Sequence, residues 1–191
     1  MRRFAFIFFV LTIALAAFAQ KGTKDKTQRP SPPAPPAVCK FSDGKTITVD
    51  YSTPAIKGRK IYGGLVLFNE PWRTGANEAT TFVPTTDVVI GGVTVPAGSY
   101  TLYTLPAPTP GEKTWKLILS KKTGQWGIPY PEGEDLGRFE MKTELIEIPI
   151  EKLHISFMPA VHKNDPRAKD VCTLRIDWEK TRAYVDIAEK K

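Results

Sequence analysis

The chain is poor in the residue types that build metal and redox sites. Its 191 residues include two cysteines, Cys39 and Cys172, and two histidines, His154 and His162. The two cysteines are too far apart in sequence for a CxxC redox pair, and the cysteines and histidines together match no zinc-binding spacing. A multi-aspartate calcium loop and a G-x-S-x-G nucleophile turn are absent as well. The sequence therefore predicts no metal and no cofactor.

Long hydrophobic runs are also absent, except for Phe4–Phe18 at the N-terminus. Met1-Arg2-Arg3 precedes this run, and Ala17-Phe18-Ala19 ends it with an A-x-A cleavage pattern, which is typical of a secretory signal peptide. The run is short for a transmembrane helix, which needs ~20 residues, although a buried helix or a membrane anchor is the alternative. We therefore expect residues 1–19 to be removed, the protein to be periplasmic or secreted, and the mature chain to have no membrane span.

The charge balance is modestly basic. The formal net charge is +7, and it falls to +5 once Arg2 and Arg3 leave with the signal peptide. Outside the cytoplasm such a charge favours an acidic polymer or surface of the cell envelope as a partner over nucleic acid, although solubility alone also explains it. The sequence thus predicts no nucleic-acid partner.

The composition and the hydrophobic pattern predict a β-protein. Ten Phe, six Tyr and four Trp against three Met exclude a coiled coil and a disordered chain. Residues 20–37, rich in proline from Pro30 to Pro36, are predicted to be a stiff linker that acts as a spacer. Over residues 38–188 apolar residues recur with a period of two between Gly and Pro turns. We predict one all-β domain, an antiparallel β-sandwich of the jelly-roll or Ig-like kind, with about 9–11 short strands and little helix.

Several turns and strands can be placed individually. Asp43-Gly44 and Gly91-Gly92 predict tight hairpins. The last pair of strands is predicted over Val171–Trp178 and Ala183–Ile187, with a turn at Glu179–Arg182. Two further separate strands are predicted over Arg138–Ile148 and Lys152–Met158.

Both cysteines fall on inward-facing positions of predicted strands. Cys39 alternates with Phe41, and Cys172 alternates with Leu174. In an oxidising compartment an even pair of this kind favours a disulfide. Two separate buried thiols, inert as small hydrophobic side chains, are the alternative.

The irregular segments between strands contain residue types that bind ligands. Aromatic rings stack on sugars, and Arg, Asn and Glu orient sugars or carboxylates through paired hydrogen bonds. Such residues concentrate in Lys57–Lys60, Trp72–Thr81 and Gln125–Gly127. The candidate ligand-binding residues are Arg59, Trp72, Arg73, Asn77, Glu78 and Trp126. For Arg73 and Glu78 the alternative is an internal ion pair that supports the loop.

These features favour a non-catalytic binding module for a saccharide or an acidic envelope ligand. A hydrolase of the glycosidase type is an alternative, with Glu78 acting beside Glu70 or another carboxylate brought near by folding. A structural or assembly partner in the envelope, using the proline-rich linker and an open sheet edge, is a third. No catalytic residue is assigned, since nothing marks His154 or His162 as the partner of a nucleophile.

Six segments form a set that has a known counterpart. They are Tyr51–Pro54, Lys57–Val66, Trp72–Thr81, Pro96–Tyr103, Trp126-Gly127 and Trp178–Thr181. Together they resemble the bacterial exported family called Domain of Unknown Function 2911, over a range from Pro30 to Ile187. The resemblance implies a secreted, mostly β domain, and it brings no catalytic residue, cofactor or partner with it.

Signal-peptide cleavage can be tested by mass spectrometry. We expect the exported protein to begin at Gln20, because the A-x-A pattern ends at Ala19. Protein recovered from the periplasm or the medium should have the intact mass of residues 20–191. Retention of residues 1–19 would contradict this prediction.

Overall fold

The structure, a computed structural model, describes residues 25–108, 115–159 and 170–191. The predicted signal peptide, residues 20–24 of the predicted linker, and His162 lie outside these residues. The regular secondary structure of the described residues is almost entirely antiparallel β-sheet, as predicted, and a short 3-10 helix at Lys26–Gln28 precedes the strands. In the described ranges, no helix has the length and apolar character needed to cross a membrane.

The described residues contain nine strands, within the predicted number. They are β1 (Ala37–Lys40), β2 (Thr46–Asp50), β3 (Thr81–Pro84), β4 (Val88–Ile90), β5 (Val93–Val95), β6 (Tyr100–Leu105), β7 (Trp115–Ser120), β8 (Asp135–Pro159) and β9 (Val171–Glu189). The strands pair in the order β1-β2-β3-β6-β7-β8-β9-β4-β5, and this continuous sheet folds into a sandwich-like structure.

Both predicted hairpin turns are confirmed. Asp43-Gly44 joins β1 to β2, and the Lys45 amide donates to Asp43 Oδ1 at 3.0 Å. Gly91-Gly92 joins β4 to β5, and the φ angles of these two glycines are +57° and +82°. Because glycine adopts such left-handed conformations without steric cost, the local turn residues account for both hairpins.

β8 is much longer than the predicted short strands and links the two halves of the sheet. It pairs with β7 as far as Met141 and with β9 from Lys142 onward. The strands predicted at Arg138–Ile148 and Lys152–Met158 are therefore parts of one 25-residue strand. The chain bends between them through shifts of pairing register after Leu145, and it does so without leaving the sheet.

β9 reverses direction within its span. Thr173 Oγ1 donates to Asp186 Oδ1 at 2.5 Å, although these residues are 13 positions apart in the chain. In a single extended strand they would be ~40 Å apart. Glu179, between them, has a φ of +54°, which agrees with the turn predicted at Glu179–Arg182. β9 is therefore a hairpin. Its residues before the turn pair with residues 154–159 of β8, and its residues after the turn pair with residues 142–145, so β8 passes around the tip of the hairpin.

One hydrophobic core fills the space between the layers. Trp178, Phe41 and Phe82 are among its largest fully buried side chains. Trp115 is also buried, and the Tyr62 ring packs edge-on against it with ring centroids 4.9 Å apart. Burial of these large aromatic side chains supplies much of the favourable free energy of folding.

The segment that follows β2 closes the two layers over this core. The Tyr51 hydroxyl accepts a hydrogen bond from the Ile155 amide at 3.0 Å and donates to the Ile155 carbonyl at 3.3 Å. The Leu153 amide donates to the Pro54 carbonyl at 2.9 Å. These bonds satisfy backbone groups of β8 that would otherwise be buried without partners.

The proline-rich segment packs against the domain. The Ala34 amide donates to the Tyr51 carbonyl and the Thr53 amide to the Pro32 carbonyl, each at 2.9 Å. Proline lacks an amide donor, but its carbonyl still accepts hydrogen bonds. Within the linker predicted at residues 20–37, Pro32 and Ala34 therefore form part of the edge of the domain, whereas a separate stiff spacer was expected.

The predicted disulfide is present. Cys39 in β1 is bonded to Cys172 in β9, with Cα atoms 6.3 Å apart and 133 residues apart in the chain. Both residues are buried in the core. The bond therefore ties the edge strand β1 to the start of β9.

Removal of the disulfide should destabilise the domain strongly. We expect Cys39→Ser/Cys172→Ser to lower the free energy of unfolding by ~2–5 kcal/mol, because the unfolded chain regains the entropy of a long loop. Urea unfolding followed by tryptophan fluorescence measures this change. Reductant should lower the wild type to a similar value and leave the double variant unchanged. Equal stability of the two proteins without reductant would contradict the prediction.

Candidate functional site

Two of the predicted ligand-binding segments meet in space. The Ala79 amide donates to the Gln125 carbonyl at 3.2 Å, and Arg73 Nη1 donates to the Trp126 carbonyl at 3.0 Å. Gly127 makes the close approach possible. A Cβ atom at this position would lie 3.0 Å from the Cβ atoms of both Arg73 and Ala79. The backbone of Gly127 also has a φ of +84°, so a larger residue would be strained as well as crowded.

The contact between the segments places a cation beside an exposed aromatic ring. The guanidinium carbon of Arg73 lies 5.3 Å from the centroid of the Trp126 ring. Trp126 is 51% exposed, and the hydrogen bond from Arg73 to its carbonyl fixes the backbone at this position. Burial lowers the pKa of Arg73 from its ordinary value, and the guanidinium is still charged at neutral pH. This geometry is that of a cation–π pair.

Two tyrosines and a glutamine form a set of contacts next to this pair. Tyr103 is fully buried, and its hydroxyl donates to the Gly127 carbonyl at 3.4 Å and accepts from Gln125 Nε2 at 3.4 Å. The Tyr130 ring packs edge-on against Tyr103 with centroids 4.9 Å apart. The Tyr130 hydroxyl donates to Asp135, and burial raises the pKa of Tyr130. Neither tyrosine is among the predicted site residues: alternation marks Tyr103 in β6 as core, and no pattern singles out Tyr130 in the loop before β8.

Asn77 and Glu78 hold the N-terminal segment onto the domain. Asn77 Nδ2 donates to the Ser31 carbonyl at 2.6 Å. Glu78 forms ion pairs with Arg29 at 2.7 Å and with Lys26 at 3.2 Å, and its side chain is 43% exposed. A hydrogen bond from its own amide, followed by those from Arg29 and Lys26, lowers the pKa of Glu78.

The internal Arg73–Glu78 pair that we gave as an alternative is not the arrangement found. Glu78 pairs with cations 49 or more residues earlier in the chain, while Arg73 donates to the Trp126 carbonyl. A carboxylate kept ionised by two cations is a poor proton donor, so these contacts do not favour Glu78 as a general acid. Glu70, the other carboxylate considered, lies exposed in the preceding loop.

The other two candidate residues lie apart from the Arg73–Trp126 pair. The Trp72 ring stacks on Trp178 of the core with centroids 5.5 Å apart, and its backbone pairs with Thr104. Arg59 donates from Nε to the Ile56 carbonyl at 3.0 Å and from Nη2 to the Ala55 carbonyl at 2.6 Å, in a different loop. The structure thus assembles Arg73, Trp126, Asn77 and Glu78 in one region and assigns Trp72 to packing.

No set of three His, Cys, Asp or Glu residues in the described part of the chain is arranged to hold a metal ion. What the region around Arg73 and Trp126 offers is a fixed aromatic face and a guanidinium with hydrogen-bond donors. Such groups bind and orient a ligand, and they supply neither a nucleophile nor a proton-transfer pair.

The comparisons with known proteins identify a family. A family model described as a protein of unknown function, DUF2911, matches residues 33–187. No curated protein and no solved structure matches the chain. The matched range includes the Trp72–Thr81 loop and Trp126, as well as all nine described strands except the last residues of β9.

Replacement of the Glu78 charge should have only a small effect on stability. Because its ion pairs are partly exposed, we expect Glu78→Gln to lower the free energy of unfolding by less than about 1 kcal/mol at neutral pH. The lowered pKa stabilises the fold above the unfolded-state pKa, and this contribution disappears as the pH falls through the folded-state value. The difference between wild type and variant should therefore vanish in acid.

Chemical unfolding of both proteins across a pH series measures this difference. A loss of ~3–5 kcal/mol at neutral pH would contradict the prediction, since only a buried and essential ion pair costs that much to break.

Proposed function

The chain belongs to the DUF2911 family, and we propose that it is an exported, non-catalytic binding module for a saccharide of the cell envelope. Arg73 and Trp126 form the binding face. Acidic saccharides are favoured over neutral ones, because a guanidinium binds a carboxylate through paired, charge-assisted hydrogen bonds.

The exposure of Trp126 is the observation that carries this proposal. The Trp126 ring is half exposed, and the Arg73 guanidinium packs against it, so ligand binding immobilises the ring at little further entropic cost. Sugar rings have apolar faces that pack on such aromatic surfaces. The Arg73 fork uses one nitrogen on the Trp126 carbonyl, and its remaining N–H groups are suited to a ligand oxygen.

The disulfide supports the proposal of export. Bonds such as Cys39–Cys172 form and persist in oxidising compartments and are rare in the cytosol of most organisms. The signal-peptide pattern at Met1–Ala19 points to the same location.

Calorimetric titration with oligosaccharides from bacterial and plant cell walls tests the proposed binding. We expect Trp126→Ala to weaken binding at least tenfold, because the aromatic face is removed. Ile128→Ala is a matched control, since Ile128 is an exposed apolar residue two positions away that offers no ring. No heat at millimolar ligand, or an unchanged affinity of Trp126→Ala, would overturn the proposal.

Arg73→Lys separates the charge of Arg73 from its geometry. Lysine keeps the positive charge but lacks the planar fork, so we expect about a tenfold weaker affinity for acidic oligosaccharides and a smaller change for neutral ones. The same titrations measure both values. Equal losses for acidic and neutral ligands would contradict paired recognition of a carboxylate.

A further inference from the structure

From the loop over residues 57–67 we infer a second binding surface, which attaches the protein to an anionic lipid bilayer. No described contact joins this loop to Arg73 or Trp126. This loop, here called the basic turn, exposes Lys57, Arg59 and Lys60 together with Leu65 and Leu67. The two leucines are 50% and 58% exposed. Cations next to exposed leucines are the pattern by which peripheral proteins bind membrane interfaces.

The basic turn is held rigidly by the domain. Ile61 and Val66 lie within this loop, and their side chains are buried in the core. The Leu65 amide donates to the Lys60 carbonyl at 3.0 Å, and the Val66 amide donates to the Ile61 carbonyl at 2.9 Å. Since Val66 points inward, its neighbours Leu65 and Leu67 are presented outward by a fixed backbone.

The cations of the basic turn have no acidic partner in the described structure. Arg59 donates only to the carbonyls of the preceding turn, and no carboxylate lies within ion-pair distance of Lys57, Arg59 or Lys60 among the described residues. Glu151 contacts this loop through its carboxylate, which accepts a hydrogen bond from the Lys57 backbone amide at 3.0 Å. The ammonium groups are therefore available to an external anion.

The apolar area favours a bilayer over a folded protein partner. A stable protein interface buries about 800 Å² on each side, far more than two half-exposed leucines provide. Binding to a bilayer requires less buried apolar area, because each cation near an anionic surface itself strengthens binding by about fivefold. The leucines then need to enter the interface only partly. An anionic bilayer provides both features that this surface would bind, namely negative charge for the cations and an apolar layer beneath it for the leucines.

Flotation of the mature protein with unilamellar vesicles tests the inference. One vesicle type contains one-third phosphatidylglycerol in phosphatidylcholine, and the other contains phosphatidylcholine alone. We expect the protein to float with the anionic vesicles only, and to dissociate as the salt concentration rises. No flotation with anionic vesicles, or equal flotation with both types, would overturn the inference.

Paired variants separate insertion from simple attraction of charge. Leu65→Ser/Leu67→Ser should lower the partition coefficient at least about tenfold through lost apolar contact. Lys57→Gln/Lys60→Gln should lower it about twenty-fivefold through the loss of two charges. Val93→Ser is the matched control, since Val93 is 53% exposed on the β4–β5 hairpin and should not alter binding.

The remaining outcomes each decide against the bilayer. Loss in the lysine variant alone would indicate nonspecific attraction to any polyanion, and binding to immobilised polyglutamate without vesicle binding would indicate an acidic protein partner. Thermal unfolding of each variant verifies that it is folded, and these exposed positions should leave the melting temperature unchanged. Saccharide binding at Trp126 is measured separately, so failure of one proposal leaves the other intact.

Discussion

The hydrogen bonds between Tyr51–Ile56 and residues 151–155 of β8 hold the two layers of the sandwich together. Leu153 and Ile155 of β8 are buried, and buried polar groups must be paired. Tyr51 pairs both groups of Ile155 with one hydroxyl, and Pro54 accepts from Leu153. This single short segment lets one continuous sheet close over its own core.

The segment Tyr51–Ile56 also positions two other parts of the molecule, the proline-rich residues and the basic turn. On one side, Thr53 and the carbonyl of Tyr51 receive the proline-rich residues, which therefore pack as an edge of the domain. On the other side, the chain leaves Ile56 directly into the basic turn, where Arg59 returns to the carbonyls of Ala55 and Ile56. The constraint that closes the core thus also sets the position of a charged surface.

The two proposed surfaces use different physics. At Arg73 and Trp126 a glycine permits two loops to touch, and the contact places a guanidinium beside an exposed aromatic ring. At the basic turn, buried anchors fix a backbone that carries leucines and lysines outward. In each case the core determines the rigidity, and the exposed side chains determine which ligand chemistry fits.

Features that depend on neighbours along the chain can be predicted from the amino-acid sequence alone. Period-two alternation predicted the strands, and Asp43-Gly44 and Gly91-Gly92 predicted their turns, because turn conformation is a property of a few adjacent residues. The disulfide is the exception among distant contacts, because the chain has two cysteines and an even pair in an oxidising compartment leaves one pairing. Which partners Glu78, Trp72 and Trp126 have depends on the folded structure, where they contact Arg29, Trp178 and Arg73. These contacts join residues distant in sequence, and pattern along a chain carries no information on which distant side chains meet.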